Sequence, residues 1–223
     1  MLTLLPLFPL NTSLVPGLVL PLHIFEPRYC DLVDMLLANP DENAREFGII
    51  AVRDGRSLDH HGVDALYEIG TSAVIRQADR FEDGRFDIMT VGSRRFLIHE
   101  VNTAEPLATA TIEFLDEPVT EVSPLVMQQA AKRFTAYRTI LGGRFDDGDA
   151  STADLPGDPT VLSYLITASM VLPTGERQSL LGAPDANSRL TLASELLARE
   201  NALIALLSAV PAIDLLPSID YPN

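Results

Sequence analysis

The feature that most constrains the fold is the proline content of the first apolar segment. Leu4–Leu10 has the composition of a β-strand, but Pro6 and Pro9 each lack a backbone N–H. Because successive residues of a strand point to opposite edges, prolines at odd spacing remove one donor from each edge. We therefore predict a short strand that lies at the rim of a sheet or carries a bulge.

The rest of the first half predicts a β-rich lobe with one helix. Val19–Phe25 predicts a second strand, Pro27 suits the first turn of a helix, and Asp83-Gly84 predicts a hairpin because it tolerates a positive φ. The other predicted strands are Gly48–Val52, Ser72–Arg80, Arg85–Val91, Arg94–Val101 and Ala108–Leu115. These short strands are too few for two stacked sheets. We expect a small, partly closed barrel, which also removes exposed edges.

The second half changes to helical periodicity. Ser123-Pro124 predicts the start of one helix and Gly142-Gly143 its end, whereas Asp158-Pro159 predicts the start of another that runs to Val171. A third helix is predicted over Ala186–Ser208. The three helices should form a compact bundle, since isolated helices of this length are marginal in water.

These patterns together predict an α+β fold, with a partly closed β-barrel lobe followed by an α-helical bundle lobe. The expected boundaries are residues 1–118 for the β-rich lobe, 119–209 for the helical lobe and 210–223 for an extended tail. An acidic loop over residues 146–158 separates the first two helices of the bundle.

The charge of the chain argues against nucleic-acid binding. It carries 31 acidic and 16 basic residues, a net charge of −15, and Lys132 is its one lysine. Each phosphate contact needs a basic side chain, so we expect no nucleic-acid partner. The arginines that could still form a local basic patch are Arg76, Arg80, Arg85, Arg94 and Arg95.

The same composition predicts a cytoplasmic protein without a membrane partner. Prolines interrupt Leu14–Phe25, so no apolar run reaches the ~18 residues of a membrane span. The first basic residue is Arg28, so no basic region precedes the apolar start as in a secretory signal. The single cysteine, Cys30, excludes an internal disulfide and a multi-thiolate zinc site.

Few residues suggest chemistry. Asp59-His60-His61 with Asp64 has the composition of a metal site, but adjacent histidines on an extended loop point to opposite sides. The acidic loop near Asp147 lacks the glycine that a calcium loop needs at its sixth position. A nucleophilic Cys30 would need a base, and His23 is the one histidine close in sequence. We therefore expect no metal, no cofactor and no catalytic residue.

Several motifs resemble, in order and spacing, the amino-terminal domain of Lon-type ATP-dependent proteases. They are Phe25-Glu-Pro-Arg-Tyr29, Gly70-Thr71, Asp83-Gly-Arg85, Gly92-Ser-Arg-Arg-Phe96-Leu-Ile98, Asp158–Ile166, Arg177–Leu181 and Arg189-Leu190. The resemblance covers roughly residues 2–208. It implies a barrel similar to PUA domains followed by helices, and recognition of unfolded or damaged polypeptide or of a partner protein such as a protease.

Full-length proteases of that family also carry an ATPase and a Ser-Lys peptidase, and neither motif is found here. No Gly-x-x-x-x-Gly-Lys-Ser/Thr sequence exists, and any Ser-Lys dyad would have to use Lys132. We therefore expect a non-catalytic recognition or adaptor module. A hydrolase or peptidase with an unrecognised site and an RNA-binding barrel remain as alternatives.

The apolar loop Leu14–Leu18 is the main predicted contact surface. Exposed between two lobes, its side chains would hold an unfolded chain by burying apolar surface. The predicted partner-binding residues are Leu14, Val15, Leu18, Phe25, Arg28 and Tyr29. Glu26 and Arg95 are predicted to be structural. Glu26 forms a charged pair with Arg28 at a strand-to-helix junction, and such a pair fixes the turn of the chain through charge-assisted hydrogen bonds.

Overall fold

The barrel is built from one mixed sheet. The computed structural model describes residues 1–119, 121–145 and 155–209. The strands are β1 (Leu2–Leu10), β2 (Val19–Ile24), β3 (Glu46–Ala51), β4 (Ile69–Arg80), β5 (Phe86–Asn102) and β6 (Thr109–Phe114). Their order is β2-β5-β4-β3-β1-β6, and β5 also pairs with β6. That pairing closes five strands into a ring, with β2 beside β5, and the helices that follow confirm the predicted α+β class.

Strand β1 is not the short or rim strand that its prolines predicted. It is nine residues long; its first five residues pair with antiparallel β6 and its last four with parallel β3. The Leu7 N–H donates to Ala108 O, on the β6 side, at 2.8 Å. By alternation, Pro9 faces that side beyond the end of the β6 pairing, and Pro6 faces the other side before the β3 pairing begins. Each proline lies where no ladder donor is needed.

Strands β4 and β5 form a long hairpin around Gly84, whose φ of 87° favours glycine. The hairpin is where Asp83-Gly84 predicts it, but β5 runs unbroken over 17 residues instead of forming two strands. The predicted break falls at Gly92, which lies inside the strand. The residue is glycine for a different reason, since a Cβ there would collide with Val15 O. Two register shifts between β4 and β5 bend the hairpin, as closure of a barrel requires.

Helix α1 (Pro27–Leu37) starts at the predicted proline and packs on the barrel. Its apolar side joins one core cluster with Phe47 and Phe86. A second cluster, which includes Leu7 and Phe96, fills the rest of the barrel. The segment around Asp59-His60-His61, predicted as an extended loop, contains the short helix α2 (Leu58–His61) and a 3-10 turn.

In the described part of the chain, four helices follow the sheet: α3 (Pro124–Phe145), α4 (Pro159–Ser169), α5 (Thr174–Leu181) and α6 (Ala186–Ala209). The sequence reading missed α5, and two predicted ends are wrong, because α3 continues through Gly142-Gly143 and α4 ends before Val171. The bundle core is formed by apolar residues of all four helices: Ala130, Phe134, Tyr137, Leu162, Ile166, Leu180, Leu190 and Leu197.

Two predictions fall outside the described residues: the tail over residues 210–223 and most of the acidic loop over residues 146–158. Among the helices that the structure describes, none combines the length and apolar character needed to cross a membrane.

Candidate functional site

An apolar groove lies between the barrel and helix α4, and we call it the barrel–α4 groove. One wall is the loop Val15–Leu18, and the other is formed by residues of α4: Thr160, Val161, Tyr164, Leu165 and Ala168. Glu117 also lines it. With a volume of about 400 Å³, it has the size of a small ligand site lined by apolar side chains with few polar groups.

The loop wall is held in place by hydrogen bonds to the sheet. The Gly17 N–H donates to Gly92 O at 2.8 Å, and the Gly92 N–H donates to Leu18 O at 2.9 Å. The Thr71 hydroxyl donates to Leu14 O at 2.7 Å. Gly17 has a φ of 80°, a turn conformation that glycine adopts without strain. The loop is therefore part of the barrel wall.

This anchoring corrects the expected exposure of the loop. Leu14 is only 2% exposed and belongs to the barrel core, so it is unavailable to a partner. Val15 is 1% exposed, because it packs on Tyr164 and Leu181 of the bundle. Leu18 is half-buried and contacts both clusters. The loop does lie between barrel and helices, but it forms one wall of the groove and does not project as an apolar patch.

Helix α4 supplies the exposed apolar surface of the groove. Asp158 caps the helix, since its Oδ1 accepts a hydrogen bond from the Val161 N–H at 2.9 Å. Leu162 and Ile166 face the bundle core, whereas Val161 is 54% exposed and Leu165 lies one turn further along the same side. The helix is apolar on both faces because one packs on the bundle and the other lines the groove.

A buried charged cluster connects the two halves beneath this groove. Arg95, on β5, donates from Nη1 to Leu181 O at 2.8 Å and to Ala183 O at 2.7 Å. These carbonyls lie at the end of α5, where a cation offsets the helix dipole. Arg95 Nε also donates to Glu117 Oε1 at 2.6 Å. The guanidinium of Arg95 thus ties the barrel to the helical bundle.

Arg189 joins the same cluster from α6 and is fully buried. Its Nε donates to Leu180 O at 3.1 Å and its Nη1 to the Ser163 hydroxyl at 3.0 Å. The guanidinium carbon lies 4.0 Å from the ring centroid of Tyr164, and Nη2 is 3.5 Å from Glu117 Oε2. Burial lowers the pKa of Arg189, opposed by Tyr164 and Glu117.

The Tyr164 hydroxyl donates to Glu117 Oε1. Burial raises the pKa of Tyr164 above its usual range, and the hydrogen bond to Glu117 adds to this rise. The tyrosine therefore stays protonated at neutral pH and acts as a hydrogen-bond donor. It presents no anionic oxygen that could serve as a nucleophile.

A second groove, the β2–α1 groove, brings together Phe25, Glu26, Arg28 and Tyr29. Arg28 Nη2 lies 2.8 Å from Glu26 Oε2, and Phe25 is 64% exposed. Tyr29 is buried and stacks on Phe8 at 4.1 Å between ring centroids. The groove shares no lining residue with the barrel–α4 groove, so the predicted partner-binding residues other than Leu14 divide between two places.

The residues that could suggest catalysis are engaged elsewhere. His23 Nδ1 lies 2.6 Å from Asp87 Oδ1, and Cys30 Sγ contacts Ile24 O at 3.8 Å, so the two are not a nucleophile and its base. Across the described residues, no group of three or more potential metal ligands is found. The side chains of Asp59 and His60, and Asp147 in the acidic loop, fall outside that description.

The Cys30 thiol is expected to react slowly with thiol reagents. Burial raises its pKa, and the carboxylates of Asp31 and Asp34 raise it further. Because the thiolate is the reactive form, iodoacetamide at pH 7.4 should alkylate Cys30 several-fold more slowly than glutathione. Mass spectrometry of timed samples measures this rate. Alkylation faster than that of glutathione would contradict the assignment of a packed, unactivated thiol.

Sequence reasoning missed five residues of this region: Glu117, Val161, Tyr164, Leu165 and Arg189. A usable signal was present in α4, since a helix that is apolar all round must contact something on both faces. For Glu117 no local pattern existed, because its partners are far away in the sequence. Arg189 was part of the Arg189-Leu190 motif, but the motif did not indicate its distant contacts.

Comparisons with known proteins agree on one family. A family model described as the ATP-dependent protease La (LON) substrate-binding domain matches residues 4–199. A Lon protease of Trichlorobacter lovleyi is 27% identical over 205 residues, which cover 91% of this chain and 24% of that protein. A Lon protease of Escherichia coli K12 is 24% identical over 189 residues, 83% of this chain and 23% of that protein. This chain thus spans about a quarter of the length of these relatives.

Solved structures show the same likeness over nearly their whole length. A Lon N-terminal domain protein from Xanthomonas campestris is 26% identical, with a TM-score of 0.64, over 88% of this chain and 98% of that one. The N-terminal domain of a Mycobacterium avium complex Lon protease has a TM-score of 0.63 over the same shares. Its 19% identity bears on the fold alone.

Proposed function

Because this chain belongs to the family of ATP-dependent protease La (LON) substrate-binding domains, we propose that it is a recognition or adaptor module that binds apolar polypeptide segments without cleaving them. The bound segment belongs to an unfolded protein or to a partner protein, a protease among them. The family match supports recognition, whereas the choice of apolar segments rests on the groove described above.

The observation that carries this proposal is the barrel–α4 groove. Its walls expose aliphatic side chains, and hydrogen bonds from Tyr164 of α4 and Arg95 of the barrel to Glu117 fix α4 against the barrel. An apolar segment that enters it removes surface from water, at about 25 cal/mol per Å². Such burial is non-directional, so it suits partners whose sequences vary.

The contacts of the described residues favour this function over the two alternatives. Hydrolysis needs a nucleophile beside a base, and Cys30 and His23 contact other groups. RNA binding needs free cations, whereas four arginines of the barrel are paired with carboxylates: Arg80, Arg85, Arg94 and Arg95. Among the described residues, neither alternative has a supporting contact of this kind.

Replacing Val161 with aspartate is expected to weaken binding of an apolar peptide at least tenfold. The probe is a blocked, fluorescein-labelled ten-residue peptide with a Leu-Val-Phe-Leu centre flanked by glycine and serine. The substitution places a charge in the groove and removes a valine contact. Helix α4 should tolerate it, because an acidic residue in the first helical turn is favourable. Fluorescence anisotropy measures the affinity.

Val171→Asp provides the matched control. Val171 is 76% exposed, follows the same helix and lines neither groove, so its variant should bind like the unmodified protein. Equal affinity of Val161→Asp and Val171→Asp for the probe would place the binding site elsewhere. Absence of binding by the unmodified protein would overturn the proposed function.

A further inference from the structure

The barrel–α4 groove has two polar side chains whose hydrogen-bonding capacity is incompletely used. One is Glu117, whose side chain is 30% exposed. Its Oε1 accepts from Arg95 and Tyr164, whereas Oε2 has one long contact, 3.5 Å from Arg189 Nη2. A carboxylate oxygen has two acceptor positions. Oε2 therefore has acceptor capacity to spare.

The other is Thr160, in the first turn of α4. Its carbonyl oxygen accepts a hydrogen bond from the Ser163 hydroxyl, but its own hydroxyl makes no hydrogen bond to another described residue. A hydroxyl can donate one hydrogen bond. The groove therefore offers one acceptor and one donor between apolar walls, and these are the complements of the N–H and C=O of a peptide chain.

The charges around Glu117 select against charged ligands. Two buried guanidiniums, those of Arg95 and Arg189, lie against this single carboxylate. A cationic side chain brought into the groove would meet their excess positive charge at low dielectric. An anionic side chain would have to lie against the Glu117 carboxylate. A neutral N–H donor meets neither difficulty.

We infer that Glu117 and Thr160 read the peptide backbone: Glu117 Oε2 accepts a hydrogen bond from one N–H of the bound segment, and the Thr160 hydroxyl donates to one of its carbonyl oxygens. The ligand class is therefore an extended, neutral, apolar segment without proline at the position that faces Glu117. This inference rests on the proposed function, since it specifies what the same groove selects.

A backbone ester scan of the apolar probe peptide tests the inference with the unmodified protein. Each amide is replaced in turn by an ester, which removes one N–H donor and leaves the side chains unchanged. One central ester should weaken binding about tenfold, because a hydrogen bond to a charged acceptor is lost. The other central esters should weaken it no more than about threefold. Fluorescence anisotropy is the readout.

Variants of the protein assign the effect to the two side chains. In Glu117→Met, which lacks an acceptor, the sensitive ester should bind within about twofold of the all-amide probe. In Thr160→Val, which lacks the donor, that ester should stay about tenfold weaker, while the all-amide probe itself loses affinity. If Glu117→Met does not fold, the ester scan of the unmodified protein still tests the inference. The affinities of the unmodified protein for probes with a central lysine or glutamate, which should be lower than for the neutral probe, test it as well.

The outcomes separate this inference from the proposed function. If all central esters weaken binding equally while Val161→Asp still weakens it, Glu117 does not recognise a backbone N–H of the bound segment. The proposal that the groove binds apolar segments then remains intact. Equal affinity for neutral, lysine-containing and glutamate-containing probes overturns the charge argument in the same way. Failure of every probe to bind overturns the proposed function itself.

Discussion

Replacing Arg189 with methionine is expected to lower the free energy of unfolding by about 3–5 kcal/mol. The guanidinium is fully buried and donates to two backbone carbonyls and to the Ser163 hydroxyl. Methionine fills much of the volume but donates no hydrogen bond to these acceptors, and it removes the cation beside Glu117 Oε2. Urea unfolding followed by circular dichroism measures the change. The chain has no tryptophan to report by fluorescence.

Arg199→Met is the matched control for this variant. Arg199 lies on the same helix, is half exposed and pairs with Glu176 and Glu200 at the surface. Exposed ion pairs contribute little to stability, so its urea midpoint should stay close to that of the unmodified protein. Arg189→Lys should be nearly as unstable as Arg189→Met, because an ammonium cannot reproduce the planar fork of donors. A loss below about 1 kcal/mol for Arg189→Met would show that the buried cluster does not hold the barrel and bundle together.

Replacing Gly92 with alanine is expected to destabilise the protein by about 1–3 kcal/mol and to weaken binding of the apolar probe peptide. An added Cβ would lie 2.3 Å from Val15 O and 3.2 Å from Leu14 Cγ. The first neighbour is backbone, so the loop Val15–Leu18 has to move. That loop is one wall of the barrel–α4 groove, and moving it changes the shape of the site.

The comparison for this variant is Gly157→Ala, because a Cβ at Gly157 would meet nothing within 4 Å. We expect Gly157→Ala to keep both the urea midpoint and the affinity for the probe. Anisotropy is measured without urea and at a temperature well below the unfolding transition, so that a loss of affinity is not confused with a loss of folded protein. A stable Gly92→Ala that binds the probe normally would mean that the loop shifts without affecting the groove.

The parts of the fold that local chemistry determines could be predicted. Asp83-Gly84 indicated the hairpin, and Asp158-Pro159 indicated the start of α4, because turn and cap preferences involve neighbouring residues only. Strand β1 was misjudged because its two prolines are tolerated through a change of partner along the strand. Gly92 was interpreted as the end of a strand, although it lies inside β5 and its lack of a side chain allows the backbone of Val15 to approach closely.

The candidate site was harder to predict because its geometry depends on contacts between distant residues. Leu14 and Val15 have the composition of an exposed apolar loop, but Leu14 is buried in the barrel core and Val15 is buried against the helical bundle. Arg95 was assigned a structural role from its motif, but its acceptor Ala183 is 88 positions away. Glu117 lies in a segment without helical or strand periodicity, so no local pattern pointed to it.

The split pairing of β1 has a consequence for synthesis on the ribosome. Its antiparallel partner, β6, is translated about a hundred residues later, which is on the order of ten seconds at cellular elongation rates. Throughout that delay an aliphatic, β-prone segment has no native neighbour on one edge. Pro6 and Pro9 make the nascent segment a poor template for strands of other chains, so they guard it against aggregation until the barrel can close.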